Sequence, residues 1–424
     1  MRVFPEDKKI KVSKLIRLWV AEEFIKPARG KTLEEVAETY LKDFIDMNLI
    51  FIRGWKINGK VKSIGIHDLL RDLCLREWER ENFIRVPRVQ RMYAKKENQY
   101  KCYLCHNHAI SSDEIANALG VRLHTKLRYI SIGSKSLNTY YEENTISPSV
   151  LSLLWNLQTL YIKSNIVRPD IVIPFEIWAM PQLRHINIIS AVLPDPVEAQ
   201  DHTTIILENL QKLSVIQKFR CTKEVVERIP NLKELKVEYG DDMEEWSYYC
   251  LHNLAGLQKL ESLSIDCSVC AKSFLLKSIT FPTSLKQLVL SGCRFPWEDM
   301  TTIGSLPNLE VLKLYWFAFE GAEWNPIEGK FLRLKALSLR ACEPECWGVE
   351  DIHFPSLEVF TLEFSYNLKE IPSSIGDIAT LKLIRLRHCN DLIENSAKQI
   401  LEEQQSNGNE SLQVVICQGD YWPK

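Results

Sequence analysis

The stretch LKQLVLSGCRF, Leu285 to Phe295, places leucine at its first, fourth and sixth positions, cysteine at its ninth and an aromatic residue at its eleventh. The first part of this pattern recurs, with Ile, Val or Phe substituting, as LRYISI, LQTLYI, LRHINI, LQKLSV, LKELKV, LESLSI, LEVLKL, LKALSL, LEVFTL, LKLIRL and LQVVIC. The copies begin at Leu127, Leu157, Leu183, Leu210, Leu232, Leu260, Leu285, Leu309, Leu334, Leu357, Leu381 and Leu412. Their steps run from about 22 to about 31 residues, close to the leucine-rich-repeat range. Cys342 and Cys389 occupy the same ninth position as Cys293. One such turn cannot cover its own leucines, so neighbouring copies stack and share a continuous core. The expected fold class is therefore α/β: a curved leucine-rich-repeat solenoid of about twelve irregular repeats over residues 127–424, with a parallel sheet on its concave side. Segments such as NPIEGKF and EPECWGVEDIHFP carry the returns on the other side.

Side chains alternate along a strand, so the third, fifth and seventh positions of each copy are expected to face outward. They carry Glu234, Lys236 and Glu238, then Ser262, Ser264 and Asp266, and further on Val311, Ala336, Ser338, Val359, Thr361 and Leu383. Charges mix with Tyr315, and Trp316 lies beside it. Lys313, Tyr315, Trp316, Arg340, Glu363, Arg385 and Arg387 are the candidates for partner binding, because aromatic and arginine anchors carry protein interfaces. Taken singly, each reads first as a solvated outward residue; the concave surface taken as a whole reads as a partner-binding one. A surface of this kind supplies contact area and no nucleophile–base pair, so the expectation is a binding protein and not an enzyme.

The first 85 residues read differently. KVSKLIRLWVAEEFI, Lys11 to Ile25, spaces Leu15, Leu18, Trp19, Glu22 and Ile25 as one helical face, ended by Pro27 and Gly30. Thr32 opens T-L-E-E with Glu35 three residues on, a capping box. The helix it starts is expected to bury Leu33, Val36, Ala37, Tyr40, Leu41, Phe44 and Ile45. LIFIRGW and KVKSIGI follow, joined across Asn58-Gly59, a hairpin signal. A last helix is expected from about Asp68. Helix, helix, hairpin, helix is the order of a winged-helix module, with a linker and repeat cap over 86–126. ARGKT, Ala28 to Thr32, ends like a phosphate loop, but Ile25 stands where glycine is required and a helix precedes it. Arg53, Lys56, Lys60 and Lys62 on the hairpin raise DNA binding as an alternative. Glu34, Glu35 and Glu38 on the second helix oppose it, and no nucleic acid is expected.

The bulk numbers exclude further classes. The chain has 424 residues, a quarter of them charged, and a net charge of −2, so it has no general bias toward polyanions. No run of about 18 apolar residues is present, so no transmembrane segment is expected. The start has no apolar leader, and the 12 cysteines are thinly spread, which suits reduced thiols in the cytosol. CYLCHNH, Cys102 to His108, has ligand-like spacing but lacks a second pair nearby, and Cys267 and Cys270 sit just past a repeat strand. No metal site is expected from either.

FPEDKKIKVSKLIRLWVAEEFI, then GKTLEEVAETYLKDFIDMNLI, then IHDLLRDLCL, followed by irregular leucine-rich repeats, resembles the plant coiled-coil nucleotide-binding leucine-rich-repeat disease resistance proteins. Within that family the nearest likeness is to potato late blight resistance protein homologues. The resemblance implies an intracellular immune receptor, cytoplasmic with peripheral membrane association open. Its repeats would recognise a pathogen effector or a guarded host protein, restrain an intramolecular nucleotide-binding domain and trigger the hypersensitive response. It also implies ADP or ATP as the cofactor of the complete receptor. The family's Met-His-Asp motif matches Ile66, His67 and Asp68, so His67 would sense nucleotide phosphate and Asp68 would orient it. By its residues alone, Asp68 is a helix N-cap. The family's coiled coil and phosphate-loop core have no counterpart here. The expectation is accordingly a chain truncated at its N-terminus, with no cofactor of its own. A non-signalling paralogue stays open as an alternative.

Overall fold

A computed structural model of the chain describes residues 9–56, 59–67, 102–106, 127–134, 154–164, 171–196, 205–240, 245–267, 276–342 and 344–417. It divides into two units, Met1–Ile189 and Ser190–Lys424.

In the first unit, strand β1 (Ile10–Lys11) leads into helix α1 (Val12–Ala21), followed by α2 (Leu33–Asp46), β2 (Ile50–Trp55) and β3 (Val61–Ile66). The hairpin β2–β3 is antiparallel, and β1 adds to the free side of β3, a third strand that the sequence did not reveal. Val12, Leu15, Ile16 and Val20 of α1 pack with Val36, Ala37, Leu41, Ile50 and Ile64 in one apolar core. Two expectations need correction. First, Leu18 and Trp19 are only half-buried, and Tyr40 is exposed. Second, α1 stops at Ala21, well before Pro27. Glu23 takes φ +59, and the amides of Glu23 and Phe24 bond back to the carbonyls of Val20 and Trp19, so a left-handed cap ends the helix. The capping box of α2 is present as expected: the Thr32 hydroxyl accepts from the Glu35 amide, and the Glu35 carboxylate accepts from the Thr32 amide. The helix expected from Asp68 lies outside the described residues.

The same unit carries β4 (Cys102–His106), β5 (Leu127–Ser134), β6 (Thr159–Ser164), β7 (Ile171–Val172) and the greater part of β8 (His185–Val192). β4, β5, β6 and β8 run parallel, with β7 paired to β8. Cys102–His106, read from sequence as linker, is thus a strand of the sheet ahead of the first leucine triplet.

The second unit is a parallel ladder of β9 (Lys212–Gln217), β10 (Glu234–Glu238), β11 (Ser262–Asp266), β12 (Gln287–Ser291), β13 (Val311–Tyr315), β14 (Ala336–Arg340), β15 (Val359–Glu363), β16 (Leu383–Arg387) and β17 (Gln413–Cys417). Each of the twelve leucine triplets corresponds to one ladder strand of the chain. The first leucines from Leu157 to Leu412 are buried, as are the fourth and sixth positions such as Leu288, Leu290, Leu312 and Leu314. Burying a leucine is worth about 1.5–3 kcal/mol, so the shared core is what holds the stack together.

Returns between strands are turns and short 3-10 helices, with α3 (Lys223–Arg228) and α4 (Met300–Gly304). Helix α5 (Asp391–Ser406) is the long exception, capped by the Asn390 side chain on the Ile393 amide. Three returns stack Trp297 on Trp324 (5.0 Å, 15°) and Trp324 on Trp347 (5.2 Å, 13°), a buried tryptophan ladder behind the sheet.

Candidate partner-binding surface

In-register pairing sorts the outward positions of β12 to β17 into rows. The third positions align as Gln287, Val311, Ala336, Val359, Leu383 and Gln413. The fifth align as Val289, Lys313, Ser338, Thr361, Arg385 and Val415, and the seventh as Ser291, Tyr315, Arg340, Glu363, Arg387 and Cys417. The expectation that all three rows are open fails mid-ladder. Val311 and Ala336 are each 2% exposed, and Ser291, Ser338 and Thr361 are buried too. Strands lie about 4.8 Å apart, so a short side chain between long neighbours is covered sideways along its row. From β13 to β16 the half-open outward residues are Lys313, Tyr315, Arg340, Val359, Glu363, Leu383, Arg385 and Arg387, and the residue after the seventh position is exposed at Trp316.

That next residue repeats an unusual backbone. Gly292, Trp316, Ala341, Phe364 and His388 all have positive φ, from +44 to +65. The left-handed turn lets each amide reach the next repeat: Trp316 N–H donates to the Arg340 carbonyl (2.8 Å), Ala341 to Glu363 (2.9 Å) and Phe364 to Arg387 (2.9 Å). Glycine takes this conformation without cost, whereas a bulky residue pays about 1–2 kcal/mol. Trp316 and Phe317 are consecutive left-handed aromatics, 43% and 54% exposed. Strain of this kind persists where the surroundings enforce it and often marks function.

Rings from neighbouring repeats approach one another here. Trp316 stacks toward Phe364 (6.2 Å, 29°), and Phe364 stacks on His388 (4.8 Å, 24°). The Arg340 guanidinium lies 5.0 Å from both the Trp316 and Phe364 ring centres. Its Nε stands 3.6 Å from Glu363, beyond hydrogen-bond length, and is buried without an acceptor. Glu363 is also 3.9 Å from Arg387. Burial and the Glu363 charge together push the Tyr315 hydroxyl above its ordinary pKa, partly offset by Ser338 and Arg340. Arg385 is lowered by desolvation. Of the seven candidate residues, the structure joins Trp316, Arg340, Glu363 and Arg387 in one cluster, with Tyr315 beside it. Lys313 and Arg385 share the fifth row, separated by Ser338 and Thr361. Phe364 and His388 are members that the triplet pattern does not mark, since they fall one place past it.

The first unit contains a second built contact. Arg184, just ahead of β8, donates two hydrogen bonds to the Glu34 carboxylate on α2, at 2.7 and 2.6 Å. His185 Nε2 lies 3.6 Å from the same carboxylate. Arg128 pairs with Glu23 at 2.6 Å, and Arg17 lies 5.6 Å from the Tyr161 ring centre. Burial raises the Glu34 pKa, but the Arg184 hydrogen bonds and charge, with the charge of His185, outweigh it and hold the carboxyl below its ordinary range. The winged-helix module is thus fastened to the first repeats by a mostly buried ion pair.

His67 follows β3, exposed, with its ring 4.9 Å from that of Phe51, and Asp68 lies outside the described residues. The ARGKT corner does not suit a phosphate. Gly30 turns at φ +73, but the Thr32 hydroxyl and amide are both taken by Glu35, which puts a carboxylate where a phosphate needs bare N–H donors. Among the described residues, no group of three or more His, Cys, Asp or Glu could hold a metal ion. No helix among them is long and apolar enough to cross a membrane.

Comparison with known proteins matches this geometry. The family described as disease resistance protein winged helix domain matches residues 3–74, and the family described as leucine-rich repeat region matches residues 112–406. A late blight resistance protein homologue of Solanum demissum is 31% identical over 95% of this chain and 34% of its own length. Late blight resistance protein R1-A of the same plant is 31% identical over 98% of this chain and 36% of its own length. A leucine-rich-repeat protein of Leptospira interrogans covers 74% of this chain and 89% of its own at 16% identity, with a TM-score of 0.31, too low to add to the assignment. The chain spans about a third of the length of the first curated relatives it matches. With the winged helix, the ladder and both family matches in agreement, the chain belongs to the plant nucleotide-binding leucine-rich-repeat disease resistance proteins.

Proposed function

We propose that this chain serves as the winged-helix and leucine-rich-repeat portion of an intracellular plant immune receptor. In this reading the repeats recognise a pathogen effector or a host protein that an effector alters, and recognition leads to the hypersensitive response. The observation that carries it is the cluster of exposed Trp316 with half-buried Arg340, Phe364 and His388, whose three rings stand on left-handed backbone. Such a surface suits protein binding and offers no catalytic pair. The Glu34–Arg184 contact supports restraint of the switch region, because a winged helix fastened to repeats moves only when that contact opens. His67 and Asp68 would then act on ADP or ATP carried by a separate nucleotide-binding domain of the complete, cytoplasmic receptor.

The test is a graft. This chain replaces the matching segment of late blight resistance protein R1-A, and the chimaera is expressed in leaves challenged with the late blight pathogen. Cell death on challenge, lost in Arg340→Glu and in Trp316→Ser at equal protein level, is the expected result. A response unchanged by both substitutions refutes the assigned surface.

A further inference from the structure

We infer that the cluster of Trp316, Arg340 and Phe364 binds a carboxylate of an acidic protein segment, an aspartate or glutamate side chain with an apolar residue beside it. This rests on the partner-binding reading above and adds the chemistry of the partner.

Charge is the first argument. The chain is close to neutral, at −2. Across the three outward rows of β13 to β16, however, the charged residues are Lys313, Arg340, Arg385 and Arg387 against Glu363. On β10 and β11 the balance reverses, with Glu234, Glu238 and Asp266 against Lys236. Among these strands the excess of cationic charge thus lies on β13 to β16, beside the exposed aromatics.

Geometry is the second. The Arg340 guanidinium rests against two rings, and a third of its side chain stays open to solvent. Rings beside a guanidinium remove water from its faces; the Arg340 Nε is buried, so its two terminal nitrogens are the donors that a carboxylate reaches, and they match it two to two. Glu363 lies within 3.9 Å of both Arg340 and Arg387, so it keeps the two cations together and neither satisfies Arg340 Nε nor leaves it loose.

Glu363 also decides between anions. Its fixed negative charge repels a phosphate of charge about −2 more than a carboxylate of charge −1. The four cations do not form the continuous basic track that a nucleic acid backbone requires. Trp316 and Phe317, held outward by their left-handed backbone, supply the apolar floor next to the cation.

The experiment uses the full chain and three fluorescent synthetic peptides of about twelve residues. Glutamate alternates with leucine in the first, glutamine replaces glutamate in the second, and phosphoserine replaces it in the third. Fluorescence anisotropy is expected to show saturable binding of the glutamate peptide. Binding of the glutamine peptide should be at least tenfold weaker, and the phosphoserine peptide should fall below the glutamate one. Arg340→Gln is expected to lower affinity for the glutamate peptide at least tenfold. Arg340→Lys should do nearly the same, since it keeps the charge and loses the planar fork. Unchanged melting temperatures in both variants show that the fold is intact. Equal binding of the glutamate and glutamine peptides, tighter binding of phosphoserine, full binding by Arg340→Lys, or no binding at all overturns the proposal. If the grafted receptor still loses its response with Arg340→Glu, only the carboxylate is rejected and the partner surface stands.

Discussion

Arg184 and Arg340 are the same residue in opposite circumstances. Arg184 is 9% exposed, gives two short hydrogen bonds to Glu34, and ties the winged helix to the first repeats. Arg340 leans on two aromatic rings, keeps its nearest carboxylate at 3.6 Å, and leaves Nε without an acceptor. One guanidinium has its hydrogen bonds completed by the fold, while the other is positioned by the fold and left incomplete. An arginine in a leucine-rich-repeat sequence is therefore structural or receptive according to whether a carboxylate reaches it at hydrogen-bond length, which sequence spacing does not record.

The largest expected effect lies at the completed site. Glu34→Ala leaves the Arg184 charge buried without its partner, and removing one member of a buried pair costs about 3–5 kcal/mol. Urea denaturation, followed with amide exchange in the first turn of α2, should show that loss. The pH dependence has a defined sign. Because the folded Glu34 pKa is held below its ordinary value of 4.5, its contribution is complete above that value and disappears as pH falls through the folded pKa. Protection of α2 should therefore fall on acidification below pH 4.5 in the native chain, and Glu34→Gln should lack that step. Persistence of the acid step in Glu34→Gln would assign it to another group.

What the sequence discloses divides along the same line. The twelve triplets are legible because burial demands leucine at fixed spacing, and each one found its strand. The capping box at Thr32 and the hairpin across Gly59 are legible because local backbone geometry selects those residue types. Strand β1, strand β4 and the tryptophan ladder depend on partners far along the chain, so no local pattern announces them. Nor does the closure of Val311, Ala336 and Ser338, which arises from neighbours in the row. Four of the seven candidate residues form the cluster, but its second half escaped. The left-handed exit is signalled where glycine stands, at Gly292, and is silent where Trp316, Phe364 and His388 stand.

A moderate effect of opposite sign is expected one residue past that position, at the second of the two consecutive left-handed aromatics. Phe317 is more than half exposed and holds φ +57, and its visible partner is Arg294 at 5.8 Å. Phe317→Gly should relieve about 1–2 kcal/mol of left-handed strain. It should lose about 0.5–1 kcal/mol to the greater freedom of the unfolded chain. The net expectation is a gain of about 0–1.5 kcal/mol with weaker partner binding, read by melting temperature and peptide affinity together. A loss of stability would mean that the Phe317 ring contributes packing that its exposure conceals.

The smallest expected change is at Arg340 itself, and it tests the comparison most sharply. Arg340→Ala removes a loose, partly exposed ion pair, worth about 0–1 kcal/mol. It also removes ring contacts, worth about 0.5–1 kcal/mol at such sites. It simultaneously deletes the buried Nε hydrogen that lacks an acceptor, which offsets part of that loss. Stability should therefore change by less than about 1 kcal/mol, although two aromatic rings and a carboxylate surround the side chain. If Arg340→Ala instead costs as much as Glu34→Ala, the rings and Glu363 hold the ladder together through it. Arg340 would then be a fastener like Arg184, and the incomplete guanidinium would have to be explained by the fold and not by a partner.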